Sequence, residues 1–199
     1  MKAFLWTFGA LILCSSVVVR ASTVLQVSFD ELVHSSEFIF EGRVIDRRVE
    51  MDQAQRIHTM VQFEILDVLK GTSPGRTIVL RYLGGAVGDI KLEVDGIVPP
   101  EPGERGVYFV ESLSNPPVHP LYGWDQGHFM VVQDASDQVD RMFSRNRTPI
   151  IGFEPKIVKP AGISTGIAAG VVMTERSRVH DAMTLGDFKK KVQEIAGQK

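Results

Sequence analysis

Residues 162 to 166, Gly-Ile-Ser-Thr-Gly, match the Gly-x-Ser-x-Gly pattern of a nucleophile elbow, where a sharp strand-to-helix turn lifts a serine hydroxyl toward a base. A hydrolase of that kind also needs an acid and then a histidine farther along the chain. The sole such order after Ser164 is Glu175 then His180, too close together for that architecture. The segment therefore reads as a flexible Gly/Ser/Ala surface stretch, and a serine hydrolase using Ser164 stands as the enzyme alternative. The five histidines, His34, His58, His119, His128 and His180, show no His-Glu-x-x-His or short paired spacing that would set two metal ligands on one face. His58 and His128 would have to meet across strands. The glycines of "YLGGAVG" at 82 to 88 lie between two expected antiparallel strands, where glycine serves bends and turns rather than a phosphate cradle. The carboxylates are scattered and suggest no acid–base pair. The expectation is a chain with no catalytic residues, no metal site and no cofactor.

The elements that would position any site are mostly strands. Ser28 and Glu31 form a capping box, and Val27 with Leu32 can staple it, which predicts a short helix over 28–35. Strands are expected at 38–45, 57–69, 76–83, 89–96, 106–112 and 127–134, with turn residues between them. The second is unusual. Ile57, Thr59, Val61, Phe63 and Ile65 alternate with polar or long residues, but Leu66, Val68 and Leu69 then make its end apolar on both sides. A strongly bent strand in a small closed barrel, covered at one end, has that pattern. Residues 144–183 carry many Gly and Pro and few strand signals, consistent with a loop-rich segment or an added strand pair. Finally, Thr184 can cap a helix whose stripe of Leu185, Phe188, Val192 and Ile195 suits a lid on the sheet.

The compartment is signalled at the start of the chain. Lys2 precedes the uncharged run "AFLWTFGALILCSSVVV", and Val19 and Ala21 occupy the positions a signal peptidase reads, so residues 1–21 are expected to be a signal peptide. The run is short for a permanent anchor, and no stable membrane anchor is expected after cleavage. Cys14, the chain's one cysteine, lies inside this segment and follows Leu13 rather than a small residue, so neither lipidation nor a disulfide is expected. Loss of Lys2 and Arg20 takes the formal charge from −2 to −4, which argues against nucleic acid as a partner. The remainder suits one domain with its own core.

Four stretches, "SEFIFEGRVIDRRV", "VQFEILDVLKG", "LRYLGGAVGDIKLEVDGI" and "PGERGVYFVES", resemble a family of exported bacterial proteins of unknown activity over roughly residues 25 to 135. More distantly, the order of segments and the "LKG" turn resemble the inhibitory domain of the tissue inhibitors of metalloproteinases and netrin-like modules. That resemblance implies an OB-type barrel; with the elements read above, the expectation is a mainly β, antiparallel OB-like barrel over 22–143, with a short N-terminal helix, the loop-rich segment 144–183 and the C-terminal helix 184–199 packed on it. It also implies a partner-binding mature N-terminus, here Ser22-Thr23, although the inhibitors begin with a disulfide-held cysteine that this chain lacks. The second candidate surface is "NPPVHPLYGWDQG" at 115–127, where Tyr122 and Trp124 sit among prolines; both could equally pack into the core. The function expected is an exported, periplasmic or extracellular, non-catalytic module that binds another protein, a secreted protease being one such partner. A cell-envelope assembly protein is the alternative.

Overall fold

In the computed structural model, which describes residues 24–114, 118–154, 159–160, 162–174 and 179–198, helix α1 (Phe29–Ser35) leads into two long antiparallel strands, β1 (Phe38–Met51) and β2 (Ile57–Lys70). Then come β3 (Thr77–Leu83), a small hairpin of β4 (Gly85–Val87) and β5 (Ile90–Leu92), and β6 (Arg105–Val110), β7 (His128–Gln133) and β8 (Asp140–Ser144). β9 (Ile150–Phe153) and β10 (Val171–Met173) form a further antiparallel pair, and α2 (Leu185–Gly197) follows. The main sheet runs β3-β2-β1-β6-β7-β8 and is antiparallel throughout. Its order is open, with β3 and β8 at the edges and no pairing between them among the described residues. The described residues are thus mainly β with two α-helices. The expected signal segment, Ser22 and Thr23 lie outside the described residues, among which no helix is long and apolar enough to cross a membrane.

The doubly apolar end of β2 has a local cause. β1 and β2 pair with register shifts between Ile39 and Phe40, between Glu41 and Gly42, and between Val44 and Asp46. Leu66 is one of the extra residues and turns outward, 40 % exposed. Because of it Ile65 and Val68, three apart, pack on the same cluster, while Leu69 joins the cluster on the opposite face. Bulges of this kind also bend and twist a strand. The sheet consequently has two apolar faces. One carries Phe38, Phe40, Phe63, Leu80, Tyr82 and Tyr108. The other carries Ile39, Val107, Phe109 and Phe129 and is covered by both helices.

On the helical face, Phe29 of α1 is the hub of an aromatic cluster. Its ring centroid lies 4.4 Å from that of Phe153, 5.6 Å from Phe188 and 5.9 Å from both Phe109 and Phe129, so one side chain ties α1 to β6, β7, β9 and α2. The stripe Leu185, Phe188, Val192 and Ile195 is buried against this face, as its spacing predicts. Thr184 caps α2 by accepting the Asp187 N–H at 3.1 Å, and its hydroxyl donates to the Asp187 carboxylate at 2.8 Å. Lys189, on the flank of this stripe, turns toward the sheet rather than solvent. It pairs with Glu41, a carboxylate only 3 % exposed, and at 2.8 Å with Asp67, while Arg105 bonds Glu41 at 2.6 Å and Asp140 at 2.8 Å. A carboxylate buried this far needs such partners.

Lys70 ends β2 in an unexpected role. Its ammonium donates to the carbonyls of Val33, His34 and Ser36 at 2.8, 2.7 and 2.7 Å, satisfying acceptors left open at the end of α1. Gly71 follows at φ +88°, where a Cβ would come within 2.6 Å of the Glu37 carbonyl. The strand expected at 89–96 does not join the main sheet. Only Ile90–Leu92 is extended, and Val94 and Ile97 turn inward from a loop to plug the non-helical face. β8 was not expected, because its five residues bury Met142 and Phe143 on opposite faces and show no alternation.

Phe63 is fully buried and meets Phe40 and Tyr108 edge-on, so Phe63→Ala should cost about 3–5 kcal/mol in urea denaturation by leaving a cavity. A midpoint equal to that of the wild type would show that this face is not core. Lys70→Met, which keeps the stem and removes the charged donors, should cost about 1.5–3 kcal/mol; an unchanged stability would mean that the α1 carbonyls are capped equally well by water.

Candidate functional site

The segment from His119 to His128 gathers most of the groups that could serve a function. His119 is buried, and its Nδ1 lies 3.2 Å from the Leu121 N–H and 3.3 Å from the Leu121 carbonyl. The Trp124 ring stacks on it at 5.3 Å and 9°, and Tyr82 meets it edge-on. Trp124 itself sits at φ +61°, in the left-handed region, at the start of a short 3-10 turn, Trp124–Gly127. Trp124 is half-buried against the non-helical core, whereas Tyr122, two residues earlier, packs against the helical face and donates its hydroxyl to Glu31 at 2.9 Å. The two aromatic candidates therefore belong to opposite faces of the sheet.

The turn also meets the N-terminal end of the described chain. Gln126, 1 % exposed, accepts the Val27 N–H and donates to the Leu25 carbonyl, both at 2.9 Å. On its other side the same ribbon pairs with residues 162–169: Gln26 N–H donates to Gly162, Ser164 N–H to Val24 and Ala169 N–H to Val27, each at 2.8 Å. Leu25 and Ile163 face each other across this pairing and are 70 % and 69 % exposed. Ser22 and Thr23 are outside the described residues, but the chain enters the ribbon directly after them. Gly162–Gly166 is thus a partner strand and turn, with the Ser164 hydroxyl accepting the Gly166 N–H at 3.0 Å, not a strand-to-helix elbow.

Behind Trp124 lies a buried polar group. His128 Nε2 is 2.9 Å from Glu104 Oε1, and Arg145 donates to the same carboxylate at 3.0 Å and to the Val98 carbonyl. Glu104 and Arg145 line a cleft of about 300 Å³ with Val98, Asp125, Met130 and Asn146. Burial opposes ionisation of Glu104, yet His128 and Arg145 hold its carboxyl below the usual value. Burial raises Asp125 despite Arg145, lowers His128, and takes His119 down to about 4. The Tyr82 and Tyr108 hydroxyls and His119 Nε2 are buried here without a hydrogen-bond partner among the described residues. His58 does not approach His128: β1 and β6 intervene in the sheet, and His58 instead bonds Asp52 at 3.1 Å.

Asp134, Asp137 and His180 place ligand-type atoms within 4.8 Å of one another, the one such grouping among the described residues. Arg141 already fills that space. Its Nη2 bonds Asp137 at 2.6 Å and lies 3.3 Å from His180 Nδ1, so a fixed cation stands where a metal would sit. The sequence reading passes over Gln126, Glu104 and Arg145, since each is an ordinary polar residue in a loop or at a strand end.

His119 and His128 set a pH dependence. With its folded value near 4 and an unfolded value near 6.5, His119 binds fewer protons in the folded state between those limits, so its contribution is complete above about pH 6.5 and lost as pH falls toward 4. His128 and Glu104 act in the same direction. Stability should therefore fall by about 3 kcal/mol between pH 6.5 and 4 from His119 alone. His119→Phe, which keeps a ring on Trp124, should flatten that slope by about one proton; an identical slope would show that His119 is not buried neutral. Compared with known proteins, the chain matches no family model, no curated protein and no solved structure.

Proposed function

We propose that the chain is an exported, non-catalytic binding module, an OB-like barrel in its finer architecture, that recognises another protein through its mature N-terminus. The observation that supports this is the ribbon Val24–Val27, held between Gln126 and Gly162–Ser164 with Leu25 and Ile163 side by side and solvent-exposed. Backbone ordered in advance costs less entropy on binding, and a neighbouring apolar pair supplies contact area. The ribbon also runs beside the turn that carries Trp124, the other region singled out by sequence. Gly123, at φ +67°, permits this approach; a Cβ there would stand 3.0 Å from a Val27 methyl. A secreted protease is the partner favoured by the resemblance of the strand pattern and of the Lys70-Gly71 turn.

Mature protein from the exported fraction should begin at Ser22 by intact mass and should slow a purified secreted metalloprotease on a peptide substrate. Two alanines added ahead of Ser22 should weaken that inhibition by about tenfold or more, a difference of about 1.4 kcal/mol. Co-purification with an envelope component, with proteases untouched, would favour an assembly role instead. Ester hydrolysis that vanishes in Ser164→Ala would overturn the non-catalytic reading.

A further inference from the structure

The ribbon's two edges are held by different chemistry. On one edge the contacts are backbone pairing with residues 162–169, to which Gln26 adds a side-chain bond to the Ile167 carbonyl at 3.3 Å. On the other edge the bonds come from one carboxamide. Gln126 Oε1 accepts from the N–H of Val27 and Nε2 donates to the C=O of Leu25, both at 2.9 Å. An N–H and a C=O two residues apart on one edge are what a neighbouring strand would engage, and a glutamine amide has the same donor and acceptor as a peptide group. Nε2 spends its second hydrogen on the Gly123 carbonyl at 3.0 Å, which fixes the orientation of the amide. The side chain lies inside the protein, 1 % exposed, and is enclosed by the groups it bonds. The chain has one cysteine, Cys14, so no disulfide within it can do this task.

We infer that Gln126 is a positioning residue whose side-chain amide takes the place of an edge strand and orders the N-terminal ribbon. The ordering depends on the fold alone; its use in recognition rests on the function proposed above. Gln126→Met preserves the side chain's length and apolar packing and deletes both bonds. Gln126→Glu keeps an acceptor for Val27 and loses the donor to Leu25.

The test is amide hydrogen exchange on the full mature chain, with aminopeptidase trimming as a second readout. In Gln126→Met the Val27 amide should exchange at least about tenfold faster, and residues ahead of Ser28 should be trimmed faster, while the paired Phe40 and Tyr108 amides keep their protection. Gln126→Glu should retain more Val27 protection than Gln126→Met. Unchanged exchange at Val27, or an equal loss at Phe40 and Tyr108, overturns the inference, since Gln126 would then be idle or merely core. If Gln126→Met fails to fold, Gln126→Glu decides: faster trimming with intact sheet amides supports the inference, and unchanged trimming overturns it. Protease inhibition separates the two claims. A freed ribbon with undiminished inhibition leaves the positioning role standing and removes the N-terminus from recognition.

Discussion

The helical half of the molecule hangs from the ammonium group of Lys70. Three N–H donors meet three carbonyls, two in the last turn of α1 and one just beyond it, at a place where an α-helix leaves its acceptors open and its dipole favours a cation. Because Lys70 is also the last residue of β2 and pairs with Ile39, the same group joins a strand end, a helix end and the start of β1. With α1 fixed there, Phe29 is held at the centre of its aromatic cluster, and Ser28 caps the helix where the ribbon ends. The "LKG" stretch is thus a helix-capping device in this chain, and its glycine lets the next peptide pass beneath Glu37.

The two faces of the sheet treat buried polarity differently. Beneath α2, Glu41 lies between Arg105 and Lys189, and the chain of charges continues to Asp140 at one end and Asp67 at the other. Each ion there has a counter-ion, so desolvation is offset and α2 is tied to β1, β2, β6 and β8 together. On the opposite face the Tyr82 and Tyr108 hydroxyls and His119 Nε2 have no hydrogen-bond partner among the described residues. It is also on that face that burial lowers His119 and His128.

Much of the fold could be read in advance because it depends on local patterns. The α1 cap, the alternation of β2 from Ile57 to Phe63, and the α2 stripe are each visible within fewer than a dozen residues and recur in the structure. The reading fails where position depends on distant chain. The bulge at Leu66 is invisible without β1 opposite it, and β8 is defined by its neighbour β7 rather than by its own five residues. Val94 and Ile97 have a strand's composition but plug a core from a loop, because the glycines at 84 and 85, both at positive φ, turn the chain out of the sheet. The candidate site is the extreme case. Trp124 and Tyr122 stand out by residue type, but nothing in "WDQG" marks Gln126, whose bonds reach 99 and 101 positions back along the chain.

That separation has a consequence for the order in which the molecule assembles. The ribbon is made near the start of synthesis, while Gln126 and residues 162–169 come much later, and the Gln26–Ile167 bond spans 141 positions. Loop closure over such a distance is among the slowest steps open to a small domain. The segment at the amino end is therefore a clasp that cannot be fastened until Gln126 and residues 162–169 have been made.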